Sequence, residues 1–184
     1  MVMTIQDLEK LEKQCALNDQ EYQLELQSGE IVVMGPSDIQ SSEIGAELIY
    51  LLKLWIKPRK LGRVFDSSGG FIMPNTDLRA PDVSFVSADR LKESVRYFGE
   101  LVPDLVVEIK SQSDYILKLK KKIKLFLRQG AKVGILIDPD LLTVTVYRLH
   151  KKPIVLKNDD LLTIPELLPG WEINISQLWP PVFE

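Results

Sequence analysis

The sequence predicts an α/β fold, a mixed central β-sheet with helices on its flanks, and three observations carry that prediction. Short apolar, β-branched runs recur between turn signals; VGILID at 133–138 is a continuous apolar strand of the fully buried kind. Two longer stretches, 39–57 and 114–129, repeat apolar residues at helical spacing. Their order is hairpin, helix, several strands, helix, then two or more strands, which suits layered α/β or α+β packing.

Each element has a local reason. Ile5, Leu8, Leu11 and Cys15 fall at helical spacing within 4–17, so residues 1–20 read as an N-terminal helical extension. Tyr22, Leu24 and Leu26 alternate, Ser28-Gly29 supplies a turn, and Ile31–Met34 returns, a β-hairpin. Ser37 or Ser41 is placed to cap the next helix, whose apolar stripe is Ile44, Leu48, Leu51, Leu52 and Trp55, with Pro58 as its stop.

Gly62–Asp66 and Phe71–Met73, divided by SSGG, read as a second hairpin. APDVSFV, 80–86, is a strand opening after a proline, followed by a polar connection with one helical turn near 88–94. A strand over 104–110 leads to a helix marked by Ile116, Leu119, Ile123 and Phe126 and stopped by Gly130. VGILID, a turn at Asp138-Pro139-Asp140, and TVTVYRL follow, then a tail of short strands anchored by Trp171 and Trp179. No repeat or linker divides the 184 residues, which are read as one domain, 1–184.

Composition removes several chemistries. Cys15 is the only cysteine, which rules out an internal disulfide and a thiolate zinc cluster and suits a reducing, cytoplasmic setting. His150 is the only histidine and lies in a turn-like polar context, a poor centre for a Ser-His-Asp triad or a histidine metal cage. No apolar run approaches the roughly 18 residues that a membrane helix needs, and no signal peptide is evident. The net charge is −3, yet Lys110–Lys132 holds eight basic residues against Asp114 alone, +7, leaving −10 to the rest. Hydrolysis in this chain would run on carboxylates, lysines and a hard metal ion.

PDLVVEIKSQSD, 103–114, shows where. In an extended 104–110, Asp104, Val106, Glu108 and Lys110 share one face, and Leu105, Val107 and Ile109 the other. Glu108 and Lys110 would then stand about 7 Å apart along the strand. Such a pair is either a salt bridge at a sheet edge, worth about 0–1 kcal/mol if exposed, or half of a reaction centre. Pro81-Asp82 opens another strand, and pairing would bring Asp82 beside Glu108. Two facing carboxylates repel unless a cation lies between them, and Mg²⁺ or Mn²⁺ suits that place. A lysine beside such an ion can orient or help deprotonate water for attack on phosphorus.

P81-D82 with E108-I109-K110 resembles the PD-(D/E)XK nuclease superfamily, and the closer resemblance is to its Uma-two branch. The stretches that carry it are GEIVVM (29–34), SSEIGAELIYLL (41–52), APDVSFV, PDLVVEIKSQSD, KIKLFLRQGAKVGILIDP (122–139) and LPGWEINISQLW (168–179). The resemblance implies a restriction-endonuclease-like core and a metal-dependent endonuclease acting on DNA. It makes Asp82 and Glu108 metal ligands, Lys110 the catalytic lysine, and Glu43 an added acidic ligand. It also makes Lys122 a candidate phosphate contact; Lys118 and Lys121, from the basic helix face beside Lys110, would extend a surface that tracks phosphates. Many members of the branch have an aliphatic residue at the position of Lys110 and a histidine near Ser41; this chain has the lysine and lacks the histidine. A homodimer is implied too, since two subunits cut two strands.

Plainer readings stand beside these. Glu43 also suits an ordinary surface position near a helix N-terminus, and the lysines suit a solvated helix face. Two functional classes follow: a Mg²⁺- or Mn²⁺-dependent endonuclease, or a catalytically silent nuclease-fold module that binds DNA or a protein partner.

Overall fold

The computed structural model describes residues 2–20 and 22–184. Helix α1, Ile5–Leu17, begins at a reciprocal cap in which Thr4 and Asp7 each bond the other's backbone N–H. It buries Leu8 against Leu24, Leu26 and Leu78. The N-terminal extension is therefore packed onto the body of the fold.

Strands β1 (Gln23–Gln27) and β2 (Glu30–Met34) form the expected hairpin around Ser28-Gly29, both in the left-handed region. They belong to a four-stranded sheet, β2-β1-β5-β4, completed by β4 (Phe71–Ile72) and β5 (Leu78–Arg79).

Helix α2 spans Ile39–Arg59. Its cap is neither Ser37 nor Ser41 but Asp38, whose Oδ1 accepts the Ser41 N–H at 2.8 Å while Oδ2 accepts that of Gln112 at 2.7 Å. Pro58 lies inside the last turn; the helix ends at Lys60, in the left-handed conformation at φ 54°.

The main sheet has six strands in the order β10-β9-β8-β7-β6-β3. They are β3 (Gly62–Asp66), β6 (Val83–Ser87), β7 (Leu105–Ile109), β8 (Val133–Asp138), β9 (Thr143–Tyr147) and β10 (Ile154–Leu156). Among the described strands of this sheet, β7 and β8 pair in parallel, and helix α3, Ile116–Gln129, makes the crossover that such a pair requires. The sheet is mixed and flanked by helices, as expected.

Two further expectations fail. The second hairpin does not exist: β3 pairs with β6, while β4 pairs with β5 in the other sheet. SSGG thus carries the chain between sheets, a choice of partner that turn chemistry does not encode. Residues 88–94 form no helix, only a turn in which the Arg90 and Leu91 N–H groups donate to Ser87 O.

The sheet buries both faces. On one, Ile44, Leu48, Leu52 and Ile56 of α2 pack on Leu105, Val107, Ile109, Ile135 and Ile137, closed by Leu168, Trp171 and Leu178 of the tail. On the other, Leu119, Ile123 and Phe126 of α3 pack on Val106, Leu136 and Tyr147. Gly134 makes the second layer tight, because a Cβ there would sit 2.4 Å from Ile123 Cγ2. Strands β11 (Leu161–Thr163) and β12 (Glu172–Asn174) pair separately, and a 3₁₀ turn at Ile175–Leu178 follows.

Candidate active site

Glu108 is the next-to-last residue of β7. Its neighbours Val107 and Ile109 serve the α2 layer, so alternation turns its carboxylate into the α3 layer. Only 2% of the residue is exposed. Ionising a carboxylate there costs several kcal/mol unless charges or hydrogen bonds answer it. Burial raises the Glu108 pKa to about 8, with Lys122 pulling it down and Asp82 pushing it up.

Asp82 lies just before β6. Continuing the Val83↔Val107 register sets Asp82 opposite Glu108. Its Oδ2 accepts the Ile109 N–H at 2.7 Å, which fixes the carboxylate across the strand pair. Burial raises its pKa too, against Lys122 and that hydrogen bond. The structure thus brings together the two acids expected to meet.

The expected amine is elsewhere. Lys110 stands beyond the end of β7, where its N–H bonds Ile137 O, and its Nζ lies 2.6 Å from Asp140 Oδ2. The strand stops at Ile109, so alternation no longer governs where Lys110 points. Its ammonium is turned to Asp140, which raises its pKa.

The amine beside Glu108 comes from α3. Lys122 Nζ lies 3.0 Å from Glu108 Oε2 and 3.4 Å from Glu25 Oε1, and donates to Ala80 O at 3.2 Å. Burial opposes its charge, but Glu108, Glu25 and Asp82 together hold its pKa above the ordinary lysine value. Lys122 is thus a largely buried ion-pair partner, its side chain 14% exposed. Lys118 and Lys121 are exposed on the same flank of α3, and Lys118 lies 5.5 Å from the ring centre of Tyr115.

Glu43 is exposed on the first turns of α2, the helix of the opposite layer, and among the described residues it forms no three-ligand metal group with Asp82 and Glu108. Glu25, from β1, takes a place beside them. Leu24 and Leu26 pack under α1, and Glu25 points the other way, 1% exposed. Its Oε1 accepts the Ala80 N–H at 2.9 Å; its Oε2 accepts from Gln27 at 2.9 Å and lies 3.5 Å from Arg79. Arg79 also pairs with Asp77 at 2.8 Å. Hairpin alternation predicts that Glu25 opposes Leu24 and Leu26, but nothing local predicts that its own face is covered.

Among the described residues no three His, Cys, Asp or Glu side chains form a ready metal cage. What Asp82 and Glu108 offer is smaller: two hard carboxylates, with Glu108 Oε1 buried and lacking any hydrogen-bond partner. That donor set fits Mg²⁺ or Mn²⁺, which fill most of their coordination shell with water and phosphate oxygens. Two clefts, of about 600 and 390 Å³, lie beside α1. The larger is remote from the carboxylates, and the smaller reaches Arg79 and Ala80.

Comparison with known proteins adds a family model described as "Putative restriction endonuclease", Uma2, which matches residues 5–176. A solved structure titled as a putative nuclease belonging to DUF820, from Anabaena variabilis, is 26% identical with a TM-score of 0.77. The match covers 84% of this chain and 88% of that one. Among curated proteins, none matches.

Proposed function

This chain belongs to the Uma2 family, and from that premise we propose that it is a metal-dependent endonuclease acting on DNA. In this reading Asp82 and Glu108 hold one Mg²⁺ or Mn²⁺ ion, and Lys122, not Lys110, is the amine of the centre. One observation carries it: a carboxylate 2% exposed at a strand end, one oxygen facing an ammonium and the other without a partner. Burial of that kind is costly, and strongly shifted groups gather where chemistry is done.

When bound, such an ion polarises a phosphoryl oxygen and makes water more acidic. The chain's own residues supply the rest. Asp82, held by the Ile109 N–H, and Glu108 set the position of negative charge. Lys122 brings a positive charge between Glu108 and Glu25, within reach of a phosphate oxygen or water at the centre. Lys118 and Lys121 present exposed charge for the neighbouring backbone phosphates. Cutting both strands takes two such centres, which a homodimer supplies. Glu43 has no part in this arrangement.

A second reading is a silent nuclease-fold module that binds DNA or a protein. What favours it is the Lys122 ammonium already occupying Glu108 Oε2. Nicking of supercoiled plasmid with Mg²⁺ or Mn²⁺ separates the two. The endonuclease reading expects cleavage by wild type and none by Asp82→Ala or Glu108→Ala. Equal cleavage by all three, or none by any, defeats it.

A further inference from the structure

We propose that Glu25 is a second seat for the Lys122 ammonium, so that Glu108 can pass to a divalent cation while Lys122 stays charged inside the fold. This rests on the metal-centre reading above and adds a positioning residue which that reading leaves unused.

The two carboxylates around Lys122 are unlike. Glu25 is fully engaged and fixed: Ala80 and Gln27 donate to its two oxygens, and Arg79 lies beside Oε2. Glu108 has an oxygen with no partner. Lys122 Nζ already lies between them, at 3.0 and 3.4 Å, and its bond to Ala80 O favours neither. Moving the ammonium from one to the other needs rotation about its last side-chain bonds and no backbone shift.

Charge points the same way. With every group ionised, Asp77, Asp82, Glu25 and Glu108 outnumber Lys122 and Arg79 by two among the described residues, and Asp114 adds its negative field at Asp82. One divalent cation supplies that difference, provided that Lys122 is not expelled. Glu25 is the acid that can retain it. Without Glu25, ammonium and metal ion must compete for Glu108, and a buried ammonium left unpaired is costly.

The test is Mn²⁺ binding to the full chain by titration calorimetry, for wild type, Glu25→Gln, Lys122→Met and the double variant, each checked for folding by circular dichroism. Glu25→Gln is expected to weaken binding about tenfold, a typical site-to-site coupling. Lys122→Met is expected to tighten it. In the Lys122→Met background, Glu25→Gln should then change nothing, because no ammonium needs a seat. The same loss in both backgrounds would make Glu25 a ligand or a plain fold support and overturn the proposal. No loss in either background overturns it as well. Binding by Lys122→Met but not by wild type keeps the metal centre and overturns the seat. Binding by neither removes the metal centre and the seat with it. Should Glu25→Gln or Lys122→Met not fold, Glu25→Asp (the charge withdrawn by one methylene) or Lys122→Gln takes its place, with the same pattern expected.

Discussion

Lys122 Nζ stands 3.0 Å from Glu108 Oε2, whereas the lysine two residues after Glu108 gives its ammonium to Asp140. A charge acts on a reacting phosphate through proximity, so the two lysines should not be equivalent. Replacing Lys122 by Ala should lower plasmid nicking about a hundredfold or more, the usual scale for a lost acid–base or electrostatic group. Lys110→Ala should keep most of the activity. Initial rates at saturating Mn²⁺ decide it: a larger loss for Lys110→Ala would return the catalytic role to the ExK lysine.

Burial of Glu108 also has a consequence for stability. Its folded-state pKa is about 8, against 4.5 for the ordinary group. The native chain therefore holds this proton more tightly than the unfolded chain does. Its contribution is complete below pH 4.5 and is lost as pH rises through 8. Between those limits stability should fall with a slope approaching about 1.4 kcal/mol per pH unit, and Asp82, shifted the same way, adds to the trend. Glu108→Gln has no such proton, so its stability relative to wild type should rise steadily from pH 5 to pH 8. Urea unfolding at four pH values measures this, and parallel curves for the two proteins would contradict it.

Much of this was readable because it is local. Helical spacing marks α2 and α3 within a few residues of their observed ends, and the unbroken apolar run of β8 announces burial on both faces. Alternation along β7 turns Glu108 away from Leu105, Val107 and Ile109, and the structure agrees. What was not readable depends on contacts made at a distance. The pattern of β3 says that it is a strand, not that β6 is its neighbour. Nothing at Lys110 says that the strand has already ended at Ile109. Glu25 reaches the site only because the second sheet lies over the end of the first, where Ala80 and Lys122 meet it.

Gly134 sets how closely α3 approaches the sheet, and through it where Lys122 sits. A methyl group at 134 would meet Ile123 Cγ2 at 2.4 Å, which forces the helix outward or Ile123 out of its rotamer. Gly134→Ala should cost about 1–3 kcal/mol of stability. Ile123→Leu moves the branch one carbon away from the contact, so the double variant should recover part of the loss. Thermal unfolding of the three variants tests this; strictly additive losses would mean that the glycine is not there to make room for Ile123.

A divalent ion that binds Asp82 and Glu108 only in the folded chain must stabilise that chain by mass action. At a concentration about a hundred times its dissociation constant the gain is about 2.7 kcal/mol. Mn²⁺ should therefore raise the unfolding temperature of wild type by several degrees, and EDTA should reverse the rise. Glu108→Ala removes the oxygen that has no partner and should abolish the response, as should Asp82→Ala. Ca²⁺, which favours more ligands and longer bonds than two carboxylates provide, should shift wild type less. A wild-type protein indifferent to Mn²⁺, or a Glu108→Ala variant that responds as strongly, would leave Lys122 as the permanent cation of the site and the chain as a binding module.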